Sequence, residues 1–326
     1  MLEYHRLPPV LRLGALAALL ALSSGCAERR SPPGDATQLA IRFAYQDRVA
    51  DAVSMVAVEE GFFRDEGLDV KPLVFSSGPA CSETLLSGSA DIGTMGDTTA
   101  VSAVARSPVK IIASHGGGEH RHRIIVAADS PIRSPADLAG RSIAVKKGTS
   151  TYGGLLAWAD SLGLDLSKVK VTDMRPEDMA DALLSGAIDA IVASEPTPSI
   201  VEERGGRELA TLGGLGNTYP ILLVARDEFL ADHGEAVRRF LRAMDRAASF
   251  IANHPEEAAA IVARKTGLSQ ATTERAMTYH YYGLQLDDTA MASLQKIADF
   301  LVAQKTLDSP PSLPVAVDDR YLPEAR

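Results

Sequence analysis

Several loops rich in serine, threonine and glycine lie where a short β run passes into a helical one, and their chemistry suits a small anion. The loops SSGPA (76–80), GDTT (96–99) and KKGTSTY (146–152) are of this kind. A helix begins with free N–H groups and about half a positive charge, so several such termini at one cleft bind an oxyanion without much lysine. Taken alone, each loop is better explained as a helix cap, whereas three such loops at equivalent strand ends favour binding.

Polar residues that follow predicted strands form the candidate ligand-binding set. In an open α/β sheet, ligands bind beyond the carboxyl ends of the strands. We therefore predict that ligand contacts come from Gln46, Asp47, Ser76, Ser77, Gly78, Gly96, Asp97, Thr98, His115, Thr149, Ser150, Thr151, Tyr152, Arg175 and Glu195. Within this set Arg175 suits an oxyanion, and the carboxylate of Glu195 suits an amine on the ligand.

Strands and helices alternate along most of the chain, which predicts βαβ units and parallel sheets. The stretch LLSGSADIG (85–93) returns as LLSGAIDAI (183–191), with Gly88 and Gly186 at the predicted helix stops. This repeat and its context indicate two copies of an open α/β sheet. The predicted strands are 39–45, 69–75, 90–95, 109–115, 142–148, 169–174, 188–194 and 219–225.

Composition and charge narrow the class of protein. At 326 residues the chain exceeds the usual size of one core, which favours two domains. The net charge is −9 and no basic stripe is present, which argues against nucleic acid as a partner.

The first residues have the pattern of an export signal. Arg6 and Arg12 precede an apolar run over 13–22, which is too short to span a bilayer, and LSSGC follows, ending at Cys26. We expect residues 1–25 to be a lipoprotein signal peptide, with Cys26 lipidated and 26–39 a flexible tether. A plain secretory signal with an incidental cysteine is the alternative.

Catalytic patterns are weak. The sequence has no G-x-S-x-G, H-E-x-x-H or Walker loop, and no cofactor or metal-ligand set is predicted. The triple glycine at 116–118 lacks dinucleotide spacing and is interpreted as a flexible loop. Cys81 lies just inside a predicted helix, where a lone cysteine is commonly a small core residue. An enzyme that uses Cys81 or a histidine remains the rival hypothesis.

An ordered set of motifs carries a resemblance to a known family. The motifs are AVEEGFFRDEGLDV (57–70), LLSGSADIG, VKIIAS (109–114), SPADLAGRSIAVKKGTS (134–150), ALLSGAIDAIVASEP (182–196) and FIANHPEEAAAIVARKTGL (250–268). Together they resemble the ABC-transporter solute-binding proteins of the group that binds aliphatic sulfonates, taurine, nitrate or the thiamine pyrimidine precursor. The similarity runs from about residue 40 to about residue 300.

The resemblance implies a flytrap of two doubly wound α/β lobes joined by a hinge that the chain crosses twice. Lobe 1 is expected at 40–126 plus 225–326 and lobe 2 at 127–224, with the ligand between them. It implies a monomeric, lipid-anchored receptor in the periplasm or on the outer face of the cytoplasmic membrane, which delivers a small anionic or zwitterionic solute to an ABC permease. Large aromatic residues that family members often carry before the acidic-proline pair are replaced here by Ala193 and Ser194.

Overall fold

Alternating apolar residues fold into two separate β-sheets in the computed structural model, which describes residues 39–323. The strands are β1 (Leu39–Gln46), β2 (Leu68–Phe75), β3 (Ile92–Gly96), β4 (Val109–Gly117), β5 (His122–Ala127), β6 (Ser142–Val145), β7 (Lys170–Asp173), β8 (Ala190–Ser194), β9 (Gly206–Thr211), β10 (Ile221–Arg226) and β11 (Tyr281–Gln285). The predicted strands are all present; β5, β9 and β11 were not predicted.

Helices cover both faces of each sheet. They are α1 (Ala52–Glu59), α2 (Phe62–Asp65), α3 (Gly78–Leu86), α4 (Asp97–Val104), α5 (Ser150–Ser161), α6 (Pro176–Leu184), α7 (Thr197–Glu203), α8 (Asp227–Asp232), α9 (Gly234–Asn253), α10 (Pro255–Thr266), α11 (Gln270–Met277), α12 (Asp288–Ala303) and α13 (Leu313–Ala316). The long helix α9 buries one apolar face, which includes Val237, Phe240 and Met244, as its 3.6-residue period predicts. No helix within residues 39–323 is both long and apolar enough to cross a membrane.

The first sheet has the order β11-β4-β10-β3-β1-β2 and the second has the order β7-β6-β8-β5-β9. The two-lobed α/β fold is therefore confirmed. The expectation of parallel strands holds for β1, β2 and β3 and for β6, β7 and β8. It fails for β10 and β5, which run antiparallel to their neighbours. Each of these two strands enters its sheet directly from the other sheet, so it runs in the opposite direction.

The chain passes between the sheets at 118–121 and again at 212–220. The predicted lobe limits at 126/127 and 224/225 fall inside β5 and β10, and strand pairing places β5 wholly in the second sheet and β10 wholly in the first. The sheet assignment thus moves both crossings toward the N-terminus. The reason is that β5 pairs with β8 and β10 with β3, strands distant in sequence, and the sequence does not show these pairings.

The repeated LLSG motif performs the same structural task in both sheets. Gly88 and Gly186 follow the ends of α3 and α6, each in the left-handed region with φ of 76°. Three residues after each glycine, Asp91 accepts from the Arg42 amide of β1 at 2.9 Å, and Asp189 accepts from the Ser142 amide of β6 at 2.8 Å. The motif therefore ends a helix and fastens the following segment to the neighbouring parallel strand, β1 for β3 and β6 for β8.

The glycines at the first crossing are closely packed, which contradicts the interpretation of a flexible loop. Gly116 and Gly117 are buried residues of β4. A Cβ added to Gly117 or Gly118 would clash with the backbone oxygen of Thr218 or Tyr279, respectively. Glycine is required here because two other segments approach the backbone, and a sequence does not show such an approach.

Candidate ligand-binding cleft

A cleft between the two sheets gathers most of the predicted ligand-binding residues. It encloses about 900 Å³, part of which is open to solvent. Its walls are formed by Gln46, Arg48, Ala50, Ser77, Gly78, Pro79, Gly96, Asp97, Thr98, Thr99, Arg121, His122, Lys146, Thr149, Ser150, Thr151, Pro176, Ala193, Ser194, Glu195 and Ile221. Residues from both sheets contribute, so closing the cleft would surround a ligand on two sides.

Three helix N-termini open into this cleft. Ser77 and Gly96 hold the N-cap positions of α3 and α4, and neither provides a side-chain hydrogen bond to its helix. Thr149 caps α5, where its hydroxyl accepts from the Tyr152 amide at 3.4 Å. N–H groups and dipoles of three helices therefore converge on one space, which is an environment for negative charge.

Arg121 provides a buried positive charge that the sequence prediction missed. It lies at the first crossing, is 5% exposed, and donates from Nη2 to the Tyr219 carbonyl oxygen at 3.2 Å. Its Nε has no hydrogen-bond partner among the described residues. Burial lowers the pKa of Arg121 while Asp97 opposes the shift, but an arginine stays protonated. Arg48 adds a less buried cation to the same cleft, and Lys146 lines it while its ammonium pairs with Asp173 at 3.2 Å.

Asp97 is a fully buried carboxylate at the start of α4. Its Oδ1 accepts from the Thr98 amide at 2.7 Å, whereas Oδ2 has no hydrogen-bond partner in the part of the chain that the structure describes. Burial raises the pKa of Asp97; Arg121, the Thr98 amide and the Ser150 hydroxyl from the opposite wall act against this rise. Asp97 thus gives the cleft a carboxylate oxygen with unused acceptor capacity.

Glu195 lines the cleft, but Arg123 already holds its carboxylate. The guanidinium of Arg123 contacts Glu195 at 2.7 Å, Glu202 at 2.6 Å and Glu208 at 2.5 Å, and it is 1% exposed. Tyr279, from the first sheet's side, lies over the guanidinium at 4.1 Å from its ring centroid. Burial raises the pKa of Glu195 and Arg123 opposes this. Glu195 is therefore part of a structural cluster, and its carboxylate is not free for an amine.

Gln46 is held in place by a buried acid, Asp51. The Asp51 Oδ2 atom accepts from the Gln46 amide at 3.0 Å, from Gln46 Nε2 at 3.2 Å and from Thr94 Oγ1 at 2.5 Å. Since a carboxylate only accepts, this network orients the Gln46 side-chain amide. His115 Nε2 lies 3.3 Å from Asp51 Oδ1 without hydrogen-bond geometry, and burial lowers the pKa of His115.

Five of the predicted residues lie outside the wall of the cleft. Arg175 is exposed and pairs with Asp178 at 3.1 Å. His115 is fully buried beside Asp51, and Tyr152 packs on the core of the second sheet. Ser76 faces solvent, and Asp47 donates its amide to the Phe75 carbonyl oxygen beyond the end of β1. Position after a strand is a local property, while the direction of the side chain depends on packing.

Some of the cleft residues that the prediction missed could have been recognised from the sequence, and others could not. Lys146 belongs to the polar loop at 146–152, so that loop rather than the single residue was predicted, and Ser194 is the last residue of β8. His122 is buried, stacks on Tyr219 with ring centroids 4.0 Å apart, and has both ring nitrogens unpartnered among the described residues. Arg121 lies at the first crossing and His122 begins β5, a strand that was not predicted.

Comparison with known proteins decides the family. A sequence model described as NMT1/THI5 like matches residues 51–258. The chain belongs to the NMT1/THI5-like family. A candidate aliphatic sulfonates-binding protein of Bacillus subtilis is 28% identical over 319 residues, which cover 95% of each chain.

Solved structures share the fold of this NMT1/THI5-like protein. The periplasmic aliphatic sulphonate binding protein SsuA from Escherichia coli has a TM-score of 0.78 at 22% identity, covering 88% of this chain and 94% of that one. The enzyme DSZB in complex with biphenyl-2-sulfinic acid has a TM-score of 0.71 at 18% identity, covering 87% and 97%. Receptors and an enzyme thus share this architecture, so fold alone does not separate binding from catalysis.

Cys81 of this NMT1/THI5-like protein has the surroundings of a core residue. It is 0% exposed within α3 and packs with Ala44, Leu85 and Met95. Burial, followed by the charge of Asp51, raises the pKa of its thiol, whereas a nucleophilic cysteine needs a lowered one. Residues 39–323 contain no group of three or more His, Cys, Asp or Glu placed to hold a metal ion.

Proposed function

We propose that this protein is the extracytoplasmic solute-binding component of an ABC importer. It binds a small anionic or zwitterionic solute of the sulfonate, taurine or nitrate type in the cleft and delivers it to the permease. The observation that carries the proposal is the convergence of three helix N-termini and the buried Arg121 on one space between two sheets. The sulfonate-binding name of the Bacillus subtilis relative supports this solute class.

Arg121 and the N-termini of α3, α4 and α5 hold the oxyanion in this proposal. Hydroxyl groups of Ser77, Thr98 and Ser150 come from both walls. Solute bound between them stabilises the closed arrangement of the lobes, since it contacts both at once only in that arrangement. Binding without turnover is part of the proposal, and the position of Cys81 in the core, away from the cleft, supports it.

Export and anchoring belong to the same proposal. A signal peptide at 1–25 directs the chain across the membrane, and a lipid on Cys26 holds it as a monomer in the periplasm or at the outer face of the cytoplasmic membrane. These residues lie outside the described range. Replacement of Cys26 by alanine should release the protein from a membrane fraction into the soluble fraction; an unchanged distribution would contradict the lipid anchor.

Isothermal titration calorimetry of the purified full-length chain tests solute binding. Ethanesulfonate, 2-aminoethanesulfonate (taurine) and nitrate are the probes, and Arg121→Met is compared with the matched surface variant Arg175→Met. We expect at least one probe to bind, with affinity lost in the first variant and kept in the second. Release of sulfite during incubation, abolished by Cys81→Ala, would instead establish the rival enzyme.

A further inference from the structure

The cleft is rich in hydrogen-bond donors and also holds a buried carboxylate with an unpartnered oxygen. Helix-start N–H groups, the cations Arg48 and Arg121, and hydroxyls, which can donate as well as accept, line it. Arg123 holds the Glu195 carboxylate. In contrast, Asp97 is 0% exposed and its Oδ2 has no partner within the described residues. An oxyanion alone matches the donors but leaves a buried carboxylate oxygen beside it unmatched.

Such an unmatched oxygen discriminates between solutes. A simple alkanesulfonate or nitrate has only acceptors, so it places negative oxygens and apolar carbon near Asp97 and offers nothing in return. A buried charged group without a partner is costly, and a site built to accept a hydrogen bond from its ligand strongly rejects the analogue without the donor. A solute with an ammonium group at its other end satisfies Asp97 and balances its charge.

Building on the proposed function, we propose that the solute is a small zwitterion with an oxyanion at one end and a protonated amine at the other, and that Asp97 accepts a hydrogen bond from the amine. Arg121 takes the role that the sequence suggested for Arg175, and Asp97 takes the role suggested for Glu195. An ammonium group in contact with the carboxylate favours its charged form and so opposes the rise in the pKa of Asp97 that burial causes.

Three two-carbon sulfonates that differ in one group test this pairing. Ethanesulfonate, 2-hydroxyethanesulfonate and 2-aminoethanesulfonate are titrated into the wild-type full-length protein by calorimetry. We expect the amine to bind at least a hundredfold more tightly than ethanesulfonate, with the alcohol between them. Equal affinities for the three would overturn the inference while leaving sulfonate binding, and so the proposed function, intact.

The variant Asp97→Asn tests whether Asp97 is the residue that causes the preference for the amine. Asparagine keeps the shape and removes the charge, so the preference for the amine should fall at least tenfold and ethanesulfonate should bind no more weakly than before. Arg121→Met should weaken all three sulfonates by similar factors, because it acts on the shared head group. A preference that survives Asp97→Asn unchanged would overturn the assignment of Asp97.

A phosphonate pair separates the two proposals if sulfonates fail. Ethylphosphonate and 2-aminoethylphosphonate present the same two ends with a different head group. Preference for the amine with no sulfonate binding would sustain the role of Asp97 and reject the sulfonate class. Absence of binding by all five compounds would overturn the inference, and absence of nitrate binding as well would overturn the proposed function.

Discussion

Arg121 and Arg123 are two buried arginines separated by one residue, and their surroundings are opposite. Arg123 has three carboxylates within 2.7 Å and an aromatic ring over it. Arg121 also lies over a ring, that of Tyr219 at 5.9 Å, but it contacts one carbonyl oxygen at 3.2 Å and its Nε has no partner among the described residues. Burial acts against both charges, yet the pKa is raised for Arg123 by its carboxylates and lowered for Arg121.

The difference indicates which arginine serves the fold and which serves the ligand. When one partner of a buried and fully paired charge is removed, the folded state loses stability, because the remaining charges are left uncompensated. A buried charge left underpaired on the wall of a cleft is costly until an anion arrives, and that cost is recovered on binding. Stability and affinity should therefore respond to the two residues in opposite ways.

The largest effect is expected from Arg123→Met. Removing the guanidinium leaves Glu195, Glu202 and Glu208 close together without a cation, which should lower the free energy of unfolding by about 3–5 kcal/mol. Urea denaturation followed by circular dichroism measures this. Arg123→Lys, which keeps charge but not the fork of donors, should fall between the variant and wild type. A loss below about 1 kcal/mol would show that the cluster is not structural.

A smaller change in free energy, confined to binding, is expected from Arg121→Met. The dissociation constant should rise about a hundredfold, or about 2.7 kcal/mol, because the buried cation nearest the head group is lost. Its unfolding free energy without ligand should stay the same or rise, since a desolvated charge is removed. Arg175→Met is the control and should leave both quantities unchanged; the reverse ranking would refute the comparison.

Asp97→Asn probes the cost of the unpartnered acid without ligand. At pH 7 the variant should be more stable than wild type by about 1 kcal/mol, because it does not bury a charge. The folded pKa of Asp97 is raised above its unfolded value, so wild type binds its proton more tightly when folded and regains stability as pH falls. The gap between the two proteins should thus shrink from pH 7 toward pH 4 in paired urea titrations. A gap independent of pH would contradict this account.

The smallest effect is expected at the hydroxyls. Ser150→Ala should weaken solute binding about threefold to tenfold, the range for one lost hydrogen bond. Ser76→Ala, an exposed serine outside the cleft, is its matched control and should bind as wild type does. Calorimetry on both variants distinguishes them; equal losses would mean that the cleft extends to Ser76.

The helices and strands were predicted well from local sequence patterns, because the start and end of each element depend on residues close to it in the chain. The stop at Gly88 and Gly186 and the start of α5 at Thr149 follow from capping chemistry within a few residues. The family resemblance rested on such segments and is confirmed by the match over residues 51–258. The lobe limits were displaced because β5 and β10 pair with strands distant in sequence.

The sequence by itself determined which loops follow strands, which of them are rich in hydroxyls, and that two similar α/β units exist. Only the tertiary structure decided that Arg121 turns into the cleft while Arg175 turns to solvent, that Arg123 holds Glu195, and that Asp97 is left with an unmatched oxygen. These outcomes depend on which side chains from distant segments reach the same volume. Burial and pairing are properties of that shared volume, and no local pattern encodes them.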